Sequence, residues 1–597
     1  MAEVRIEPSG IILTAAKGDS LREALQAAGV FLDYPCGGTG RCSQCRILVS
    51  PPTDSGKGAL TEREIASGAR LACGLVVEGD CTLVIPPERL SHAQWMRGSG
   101  DGDLGLPEGA AAVSRRKLRV SGPALEDQRA DWERLAAALQ AGGVRAATPD
   151  APGLEDLSSI LRDSGWAVEA LCDNGDFVWL APGRHERVYG FAVDLGTTTV
   201  DMALVDLETG ALAGRTTLLN RQISFGADVI SRAQRYHEDP GPVRRAALDC
   251  LEEAAGMLMD RTGIRADQVL RTVIVGNPIM LHILNGIDPF QLTVSPFAPV
   301  VSGSLEAAPH GFGFHFQRRG RVKTLPIVSA YVGADTVGMI LSLGLDGEKG
   351  TALAIDIGTN GEIVLAHKGG LTATSTAAGP AFEGAQIHCG MRALPGAVYG
   401  IYIAEDGDLL ARTIAGGQPK GICGTGLVSG IAGMLGRGIL HPTGRLAEPG
   451  ETGSPALRKR LLTVNGEKAF SVSEDSSVFI SQSDVRKLQL AKGAVRAGID
   501  TLLETAGVSA DSLGAVYLAG NFGAGLDCAA ARRIGLIPDV PCERVHSVGN
   551  SALRGAVLAL LSNAIMRRAE EVSRHAAFVE LGGTASFQAR FADAMMF

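Results

Sequence analysis

Residues 191–206 read FAVDLGTTTVDMALVD, and residues 353–368 read LAIDIGTNGEIVLAHK. Each stretch holds an apolar strand pattern, the motif D-x-G-T and a second apolar strand pattern. The two aspartates, Asp194 and Asp356, are 162 residues apart. A repeat this coarse predicts two copies of one domain rather than a short-period solenoid. Strand, turn and helix patterns alternate from residue 188 to the end of the chain, which predicts two α/β lobes.

An aspartate at the end of a strand followed by Gly-Thr predicts a tight turn that can hold phosphate oxygens. We expect Asp194 to hold Mg²⁺, directly or through water, and Asp356 to close on the same phosphates from the second lobe. The phosphate-binding residues expected around them are Gly196, Thr197, Thr198, Gly358, Thr359 and Asn360. A single D-x-G-T is more often an ordinary hairpin turn, but two copies in matching context favour a nucleotide site.

Two further glycine motifs, residues 422–431 (ICGTGLVSGI) and 516–527 (VYLAGNFGAGLD), lie beside apolar segments. The second is typical of a strand–turn–helix that supports an adenosine moiety. The nucleotide-binding residues predicted here are Gly424, Thr425, Gly426, Gly520, Asn521 and Gly523. The spacing GTGLVSG is one residue too long for a dinucleotide fingerprint, and no Walker A loop is present.

A cysteine-rich stretch, YPCGGTGRCSQCRILV, occupies residues 34–49. Its spacing, C-x5-C-x2-C, places Cys36, Cys42 and Cys45 as thiolate ligands of an iron–sulfur cluster. Cys73, at a strand entry, is preferred as the fourth ligand over Cys81, which lies inside an apolar strand pattern. Four thiolates would also suit zinc, although the second short-spaced pair usual in zinc knuckles is absent.

The cysteine stretch lies within a β-rich region. A hairpin pattern precedes a helix that starts at Ser20 with a capping box, and strand patterns follow the cysteines. This is a β-grasp order, and with the cysteine spacing it resembles the [2Fe–2S] ferredoxins of the adrenodoxin-like variety. We therefore expect a ferredoxin-like domain over residues 1–88.

Residues 89–117 are glycine-rich and predict a linker, and residues 118–187 predict a small α/β middle domain. Within it, helical spacing predicts a helix over 123–143, through Leu125, Trp132, Leu135 and Leu139. A hairpin is expected over 166–181 with Asn174-Gly175 at its turn. The remaining residues, 188–597, form the two-lobed domain.

Bulk composition excludes several classes of protein. A net charge of −9 with a pI near 5.8 argues against nucleic acid as a partner. The chain has no secretory signal pattern and no apolar run long enough for a membrane span, so we expect a cytoplasmic protein without membrane contact. Eleven cysteines in a cytoplasmic chain predict metal binding rather than disulfides.

The paired motifs resemble the actin, sugar kinase and Hsp70 superfamily of ATPases. Together with the ferredoxin pattern, the chain resembles the reductive activators of corrinoid proteins along its whole length. The segments that carry this resemblance are VDLGTTTVD (193–201), VGNPIMLHIL (275–284), VGADTVGM (332–339), STAAGPAFEGAQIHCGM (375–391) and LAGNFG (518–523). It implies a multidomain α+β and α/β fold: β-grasp ferredoxin domain, linker, small middle domain and two-lobed actin-like ATPase domain.

The resemblance also implies a function. Such a protein uses ATP and Mg²⁺ to drive an electron from its [2Fe–2S] cluster to the Co(II) cobalamin of a corrinoid protein, restoring Co(I). Asp194 and Asp356 would serve the ATPase, with Glu383 and Asp335 as candidates for orienting the attacking water. The implied partners are a corrinoid iron–sulfur protein or a methyltransferase corrinoid subunit, an upstream electron donor and a second copy of the chain.

Two alternatives remain at this stage. A small-molecule kinase of the same superfamily could carry the cluster as a redox sensor, but no substrate-pocket signature supports it. A non-enzymatic scaffold would have a degenerate nucleotide site, whereas both D-x-G-T copies are intact. The pair His388 and Cys389 is interpreted as ordinary packing. No site is assigned to Cys172, Cys250, Cys423, Cys528 and Cys542.

Overall fold

The fold is taken from a computed structural model. It describes residues 2–7, 10–27, 30, 32, 40, 45–85, 113–149, 154–173, 175–181, 186–226, 228–384, 386–582 and 585–597. Within these ranges no helix is long and apolar enough to cross a membrane.

The N-terminal region is a β-grasp unit. Its elements are β1 (Ala2–Glu7), β2 (Ile11–Ala15), α1 (Leu21–Ala27), β3 (Arg46–Ser50), α2 (Glu62–Ala66), β4 (Ala69–Leu71) and β5 (Cys81–Val84). The sheet order is β2-β1-β5-β3-β4, with the two central strands β1 and β5 parallel. Alternating residues of these strands bury one face, on which Leu21 and Leu25 of α1 pack. The predicted hairpin, helix and later strands are confirmed.

A small α/β unit follows. It contains β6 (Ser114–Arg119), α3 (Asp131–Ala141), α4 (Leu157–Asp163), β7 (Ala167–Asp173) and β8 (Asp176–Leu180). The order β6-β7-β8 is antiparallel, which confirms the predicted β7–β8 hairpin, although Asn174 lies outside the described residues. The prediction of a helix from residue 123 is wrong: Leu125 is 89% exposed, and the helix begins only at Asp131. Strand β6 begins four residues before the expected domain start at 118.

The first lobe is built on a six-stranded sheet of order β11-β10-β9-β12-β14-β13. Its strands are β9 (Tyr189–Leu195), β10 (Thr199–Asp206), β11 (Leu212–Leu219), β12 (Val269–Gly276), β13 (Leu305–Ala307) and β14 (Arg321–Thr324). Its helices are α5 (Val229–Glu238), α6 (Pro240–Thr262), α7 (Pro278–Leu284), α8 (Pro309–Phe312) and α9 (Ala334–Leu343). Near-continuous apolar runs in β9, β10 and β12 explain why both faces of the sheet are covered.

The second lobe has a six-stranded sheet of order β25-β24-β15-β16-β17-β26 and two small antiparallel-rich sheets. The strands are β15 (Thr351–Ile357), β16 (Gly361–His367), β17 (Gly370–Thr376), β18 (Ala397–Ile403), β19 (Leu409–Thr413), β20 (Gly421–Ile422), β21 (Leu461–Val464), β22 (Glu467–Ser471), β23 (Phe479–Ser481), β24 (Ala515–Ala519), β25 (Val545–Gly549) and β26 (Ala577–Phe578). The helices are α10 (Gly424–Gly436), α11 (Pro455–Arg460), α12 (Gln482–Thr505), α13 (Gly520–Ala524), α14 (Cys528–Arg533), α15 (Ser551–Leu561), α16 (Asn563–His575) and α17 (Ala585–Ala594).

The two lobes repeat one topology, as the paired motifs predict. In each lobe three consecutive strands form an antiparallel meander, and a later strand pairs in parallel with the first of them. Asp194 and Asp356 occupy the same position in this pattern, at the end of β9 and of β15. Helix α15 then returns to the first lobe, where it packs on β9 and β12 and crosses α9.

The expectation that the cysteines form no disulfides is wrong. Cys528, at the start of α14, and Cys542 form a disulfide across a Cα–Cα distance of 6.0 Å. The chain between them folds back on itself, so the pair is brought together by tertiary structure that the 14-residue spacing does not reveal.

Candidate functional site

The two D-x-G-T turns meet at Glu383, which lies in a short 3₁₀ turn after β17. The Thr198 hydroxyl of the first turn donates to Glu383 Oε2 at 3.0 Å. The Thr359 hydroxyl of the second turn donates to Glu383 Oε1 at 2.8 Å. One carboxylate therefore connects the turns of both lobes, and the predicted residues Thr198, Thr359 and Glu383 come together at the junction of the lobes, which we call the cleft.

Asparagine side chains position the first turn. Asn277, the N-cap of α7, donates to the Thr197 hydroxyl at 3.1 Å. Asn220 donates to the Gly196 carbonyl at 2.8 Å. In the second turn, the Gly358 N–H donates to the Asn360 carbonyl at 2.9 Å. These bonds fix the backbone of both turns, so their remaining N–H groups are held in a defined arrangement.

A network around Asp194 crosses between the lobes. Asn550, which follows β25 of the second-lobe sheet, donates to Asp194 Oδ2 at 2.9 Å and to Asp201 Oδ2 at 3.0 Å. Arg215 Nε donates to Asp201 Oδ1 at 3.0 Å. Asn550 Oδ1 meanwhile accepts from the Leu553 N–H at 2.8 Å and caps α15. A single amide thus fixes an aspartate of the first lobe against the end of a strand of the second.

Asp335 lies at the start of α9, where its Oδ1 accepts from the Thr336 N–H at 2.7 Å. Its carboxylate acts electrostatically on Asp194, Asp356 and Glu362. Asp335 is therefore a neighbour of Asp194 and Asp356, while Glu383 is connected to the turns of these two aspartates through its threonine hydrogen bonds. Glu362, on β16, joins them and was not predicted.

Burial and mutual repulsion disfavour negative charge on these groups. Burial, with a further contribution from Asp335, raises the pKa of Asp356 to about 7. Burial raises the pKa of Asp335 to about 6, although the Thr336 N–H and hydroxyl oppose the shift. Burial and then Asp335, Asp201 and Asp356 raise the pKa of Asp194 well above its ordinary value, against the Asn550 hydrogen bond. A cluster of this kind favours a bound cation, which would stabilise the charged carboxylates.

Across the described ranges, no three carboxyl, thiol or imidazole groups converge closely enough to hold a metal ion by themselves. The carboxylates line the cleft without forming a closed cage. This arrangement suits Mg²⁺, which usually keeps several waters and binds through one or two carboxylates together with substrate phosphates.

In the remaining glycine motifs, one glycine lies against a site carboxylate and the others pack against protein backbone. Gly520, with φ +77°, lies so close to Asp356 that an added Cβ would be 2.4 Å from Oδ1, so this turn borders the cleft. Gly424 starts α10, and an added Cβ there would be 1.7 Å from the Phe382 carbonyl. Gly424 therefore lets α10 pack against the turn that carries Glu383. Gly426 and Gly523 likewise approach protein backbone, while the Thr425 hydroxyl lies 3.3 Å from Cys423 Sγ.

Asn277 and Asn550 were not predicted as site residues, yet a signal for them exists. The dipeptide Gly-Asn marks the ends of three parallel strands: Gly276-Asn277 at the end of β12, Gly520-Asn521 directly after β24 and Gly549-Asn550 at the end of β25. Val275 pairs with Asp194 and Ala519 pairs with Asp356, so the first two dipeptides are equivalent in the duplicated sheets. Ligands bind at the carboxyl ends of such strands, which makes the recurrence informative.

Of the predicted cluster ligands, Cys36 and Cys42 lie outside the described residues. Cys45 and Cys73 are close to each other, because the Ala72 N–H donates to the Cys45 carbonyl at 2.9 Å. Cys81 lies at the opposite end of β3, beside the Thr82–Ser50 pair, roughly 15 Å away along the strand. Burial, then Asp80, raises the pKa of the Cys81 thiol, which disfavours a thiolate there. The thiol donors at 45 and 73 fit an iron–sulfur cluster.

Fold and site together define a two-lobed actin-like ATPase joined to a ferredoxin-type domain. Models of protein families match the chain in four consecutive parts. They are the 2Fe-2S iron-sulfur cluster binding domain at residues 4–78, the RACo linker region at 108–187, the RACo middle region at 189–348 and the C-terminal ASKHA domain of RACo at 350–597. The chain thus has a 2Fe-2S domain and an ASKHA ATPase domain.

Relatives resemble the chain over most of its length. It is 28% identical over 572 residues to the corrinoid activation enzyme RamQ of Eubacterium limosum, covering 94% of this chain and 93% of the relative. It is 25% identical over 398 residues to a Co(II) methylated amine-specific corrinoid protein reductase of Methanosarcina barkeri, covering 61% and 68%. The solved structure of a reductive activator for corrinoid, iron–sulfur protein aligns with a TM-score of 0.73 and 30% identity, covering 100% and 98%. The chain belongs to the family of reductive activators of corrinoid proteins.

Proposed function

We propose that the chain is an ATP-dependent reductive activator that delivers one electron to the Co(II) cobalamin of a corrinoid protein and restores Co(I). The observation that carries this proposal is the Glu383 bridge between two phosphate-binding turns, in a chain that also has a 2Fe-2S domain. The whole-length relatives are corrinoid activators, which does not favour the small-molecule kinase alternative.

The cluster ligands in this proposal are Cys36, Cys42, Cys45 and Cys73. The proximity of Cys45 to Cys73, and the distance of Cys81 from both, support this choice. When bound, the cluster supplies a single electron at a potential of roughly −400 mV for plant-type ferredoxins.

The nucleotide is expected between the two turns. Asp194 and Asp356 would hold Mg²⁺ through water or phosphate oxygens, and Glu383 and Asp335 would orient the attacking water. The phosphates would contact Gly196, Thr197, Thr198, Gly358, Thr359 and Asn360. The rest of the nucleotide would contact the turns that contain Gly424, Thr425, Gly426, Gly520, Asn521 and Gly523.

ATP drives the reduction through conformation in this proposal. A ligand biases a conformational equilibrium only by binding one state more tightly than the other. Glu383 and Asn550 both connect the lobes at the phosphate site, so a nucleotide that displaces or strengthens these bonds changes the relative free energy of open and closed lobes. The closed or open state would then set the affinity for the corrinoid partner.

The family acts on corrinoid proteins, and the partner proposed here is a corrinoid iron–sulfur protein or a methyltransferase corrinoid subunit. A separate donor must re-reduce the cluster after each turnover, since one electron leaves per cobalt. We further propose a homodimer located in the cytoplasm, where ATP is available.

The decisive experiment uses protein purified without oxygen. A reductant, Mg²⁺ and a Co(II) corrinoid protein are mixed with and without ATP, and Co(I) is followed by its absorbance. We expect Co(I) to accumulate only with ATP. Equal conversion in both samples would exclude an ATP-driven mechanism.

Asp356→Ala tests the ATPase site separately from the iron–sulfur cluster. It should abolish ATP hydrolysis, because the cleft loses a carboxylate that faces the phosphates, while the absorbance and EPR spectra of the cluster stay unchanged. Simultaneous loss of both properties would indicate a folding defect instead.

A further inference from the structure

Arg232, in the first turn of α5, is a fully buried cation that forms no ion pair with any residue the structure describes. Its relative exposure is 0%. Nε donates to the Gly226 carbonyl at 2.8 Å, and Nη1 lies 3.4 Å from Met280 Sδ, which is a weak acceptor. Among the described residues Nη2 has no hydrogen-bond partner. Such a group costs free energy in a folded protein, so it calls for a functional reason.

The acidic groups whose charge acts on Arg232 are Asp228 and Glu383. Asp228 caps the N-terminus of α5, where its Oδ1 accepts from the Ser231 N–H at 2.8 Å. Glu383 accepts hydrogen bonds from the threonine hydroxyls of the two turns. Within the described ranges, Arg232 makes no ion pair with either. Burial lowers the pKa of Arg232, and the negative charges of Asp228 and then Glu383 oppose this shift.

The hydrogen bonds of Glu383 cannot persist in the nucleotide complex if these hydroxyls bind phosphate. A hydroxyl has a single O–H donor, so Thr198 and Thr359 can donate either to Glu383 or to phosphate oxygens. Phosphate binding would therefore remove both donors from a half-buried carboxylate and repel its negative charge. The displaced carboxylate needs a new partner, because leaving it unpaired is costly.

We propose that Arg232 is a positioning residue for ATP binding, which receives the Glu383 carboxylate when phosphate oxygens take the two threonine hydroxyls. This inference rests on the proposed function, since it uses the phosphate-binding role of the turns. Glu383 leaves the lobe-bridging position and pairs with a cation of the first lobe through one carboxylate oxygen, so that its other oxygen stays available to orient the attacking water. ATP thereby releases one direct connection between the lobes and fixes Glu383 in a second, defined position.

The chemistry of ATP hydrolysis is the same in this arrangement. Water adds to the γ-phosphorus, the bond from that phosphorus to the β–γ bridging oxygen breaks, ADP leaves, and the released proton passes to solvent. When the phosphate leaves, the threonine hydroxyls are again available to Glu383, and the bridge between the lobes re-forms.

The test is a double-mutant cycle in the full-length protein with Arg232→Met, Glu383→Gln and their combination. The probe is a non-hydrolysable ATP analogue with Mg²⁺, measured by calorimetry. Arg232→Met should weaken analogue binding about 10-fold when Glu383 is present, the loss expected for a charge-assisted hydrogen bond. In the Glu383→Gln background the same substitution should change the affinity less than about 2-fold.

Stability without nucleotide provides the second readout. Arg232→Met should leave the unfolding temperature unchanged or raise it, because a buried unpaired guanidinium is removed. The matched control is Arg134→Met. Arg134 has a fully buried side chain, but it pairs with Asp127 at 2.8 Å in the small α/β unit. This control should lower the unfolding temperature and leave analogue affinity unchanged.

Arg232→Lys keeps the charge and should restore part of the affinity lost in Arg232→Met. Equal affinity losses in both Glu383 backgrounds would overturn the inference, as would a lower unfolding temperature with unchanged affinity. Failure of the unsubstituted protein to bind the analogue would instead refute the proposed function itself.

Discussion

At the scale of single residues, Asn550 has an unusual combination of tasks. It caps α15 through its oxygen and holds Asp194 and Asp201 through its nitrogen. Asn550→Asp keeps the capping oxygen but replaces the donor with a third carboxylate. We expect ATP hydrolysis to fall at least about 10-fold, because a charge-assisted bond is lost and like charges are brought together.

The appropriate comparison for Asn550→Asp is Asn285→Asp. Asn285 ends α7, and its amide donates to the Leu281 carbonyl at 2.8 Å, with no side-chain acceptor among the described residues. This substitution should leave the rate of ATP hydrolysis near that of the unsubstituted protein. Equal rates for the two variants would mean that Asn550 contributes nothing beyond its cap.

At the scale of secondary-structure elements, strand β3 separates the two candidates for the fourth cluster ligand. Cys73 lies next to the start of the strand and Cys81 next to its end. Cys73→Ser should therefore remove the visible absorbance and EPR signal of the cluster, while Cys81→Ser retains them. ATP binding should be unchanged in both variants. The reverse pattern of spectra would reassign the ligand to Cys81.

Helix α12 buries a lysine against the C-terminal residues. Lys492 Nζ donates to the Met596 carbonyl and lies 5.1 Å from the centre of the Phe597 ring. Burial, with a smaller contribution from Arg496, lowers the pKa of Lys492 to about 8 from 10.5. Between these values the unfolded chain binds more protons than the folded chain, so rising pH favours the folded state.

This difference in proton binding can be measured with Lys492→Met. The unfolding free energy of the unsubstituted protein should rise relative to that of the variant as the pH increases from 8 to 10.5, by on the order of 3 kcal/mol at most. Urea unfolding of both proteins at several pH values gives the comparison. A constant difference across this range would show that the lysine titrates normally.

At the scale of the whole molecule, helix α15 returns from the second lobe to the first, where it crosses α9 at glycine. An added Cβ at Gly555 would be 2.1 Å from the Gly338 carbonyl. Gly555→Ala should separate these helices and reduce the unfolding free energy by about 1–3 kcal/mol, the usual cost of overpacking. Thermal and urea unfolding would measure this loss.

Gly256→Ala is the matched control for Gly555→Ala. Gly256 also lies within a helix, α6, but an added Cβ there meets no atom within 4 Å. Because alanine favours helix more than glycine does, this variant should be neutral or more stable by up to about 1 kcal/mol. Similar losses in both variants would mean that helix crossing is not the cause.

Local patterns in the sequence were sufficient to predict much of the fold of this protein. The D-x-G-T turns, the β-grasp order and the duplicated lobes follow from strand periodicity and turn residues, which act over a few positions. The start of α3 was mispredicted because Leu125 fits the helical spacing, although it is exposed outside the helix. The disulfide between Cys528 and Cys542 was missed because it depends on how the intervening chain folds back.

The sequence by itself determined the order of the parts, the family and the equivalent positions of Asp194 and Asp356 at two strand ends. Only the tertiary structure decided that Glu383 connects both turns and that Asn550 reaches Asp194 from 356 positions away. It also buries Arg232 with a guanidinium nitrogen that has no hydrogen-bond partner among the described residues. The physical reason is the distance along the chain over which each feature is specified. Periodicity and turn chemistry are encoded locally, whereas hydrogen bonds and unpaired charges between lobes depend on packing that no short stretch specifies.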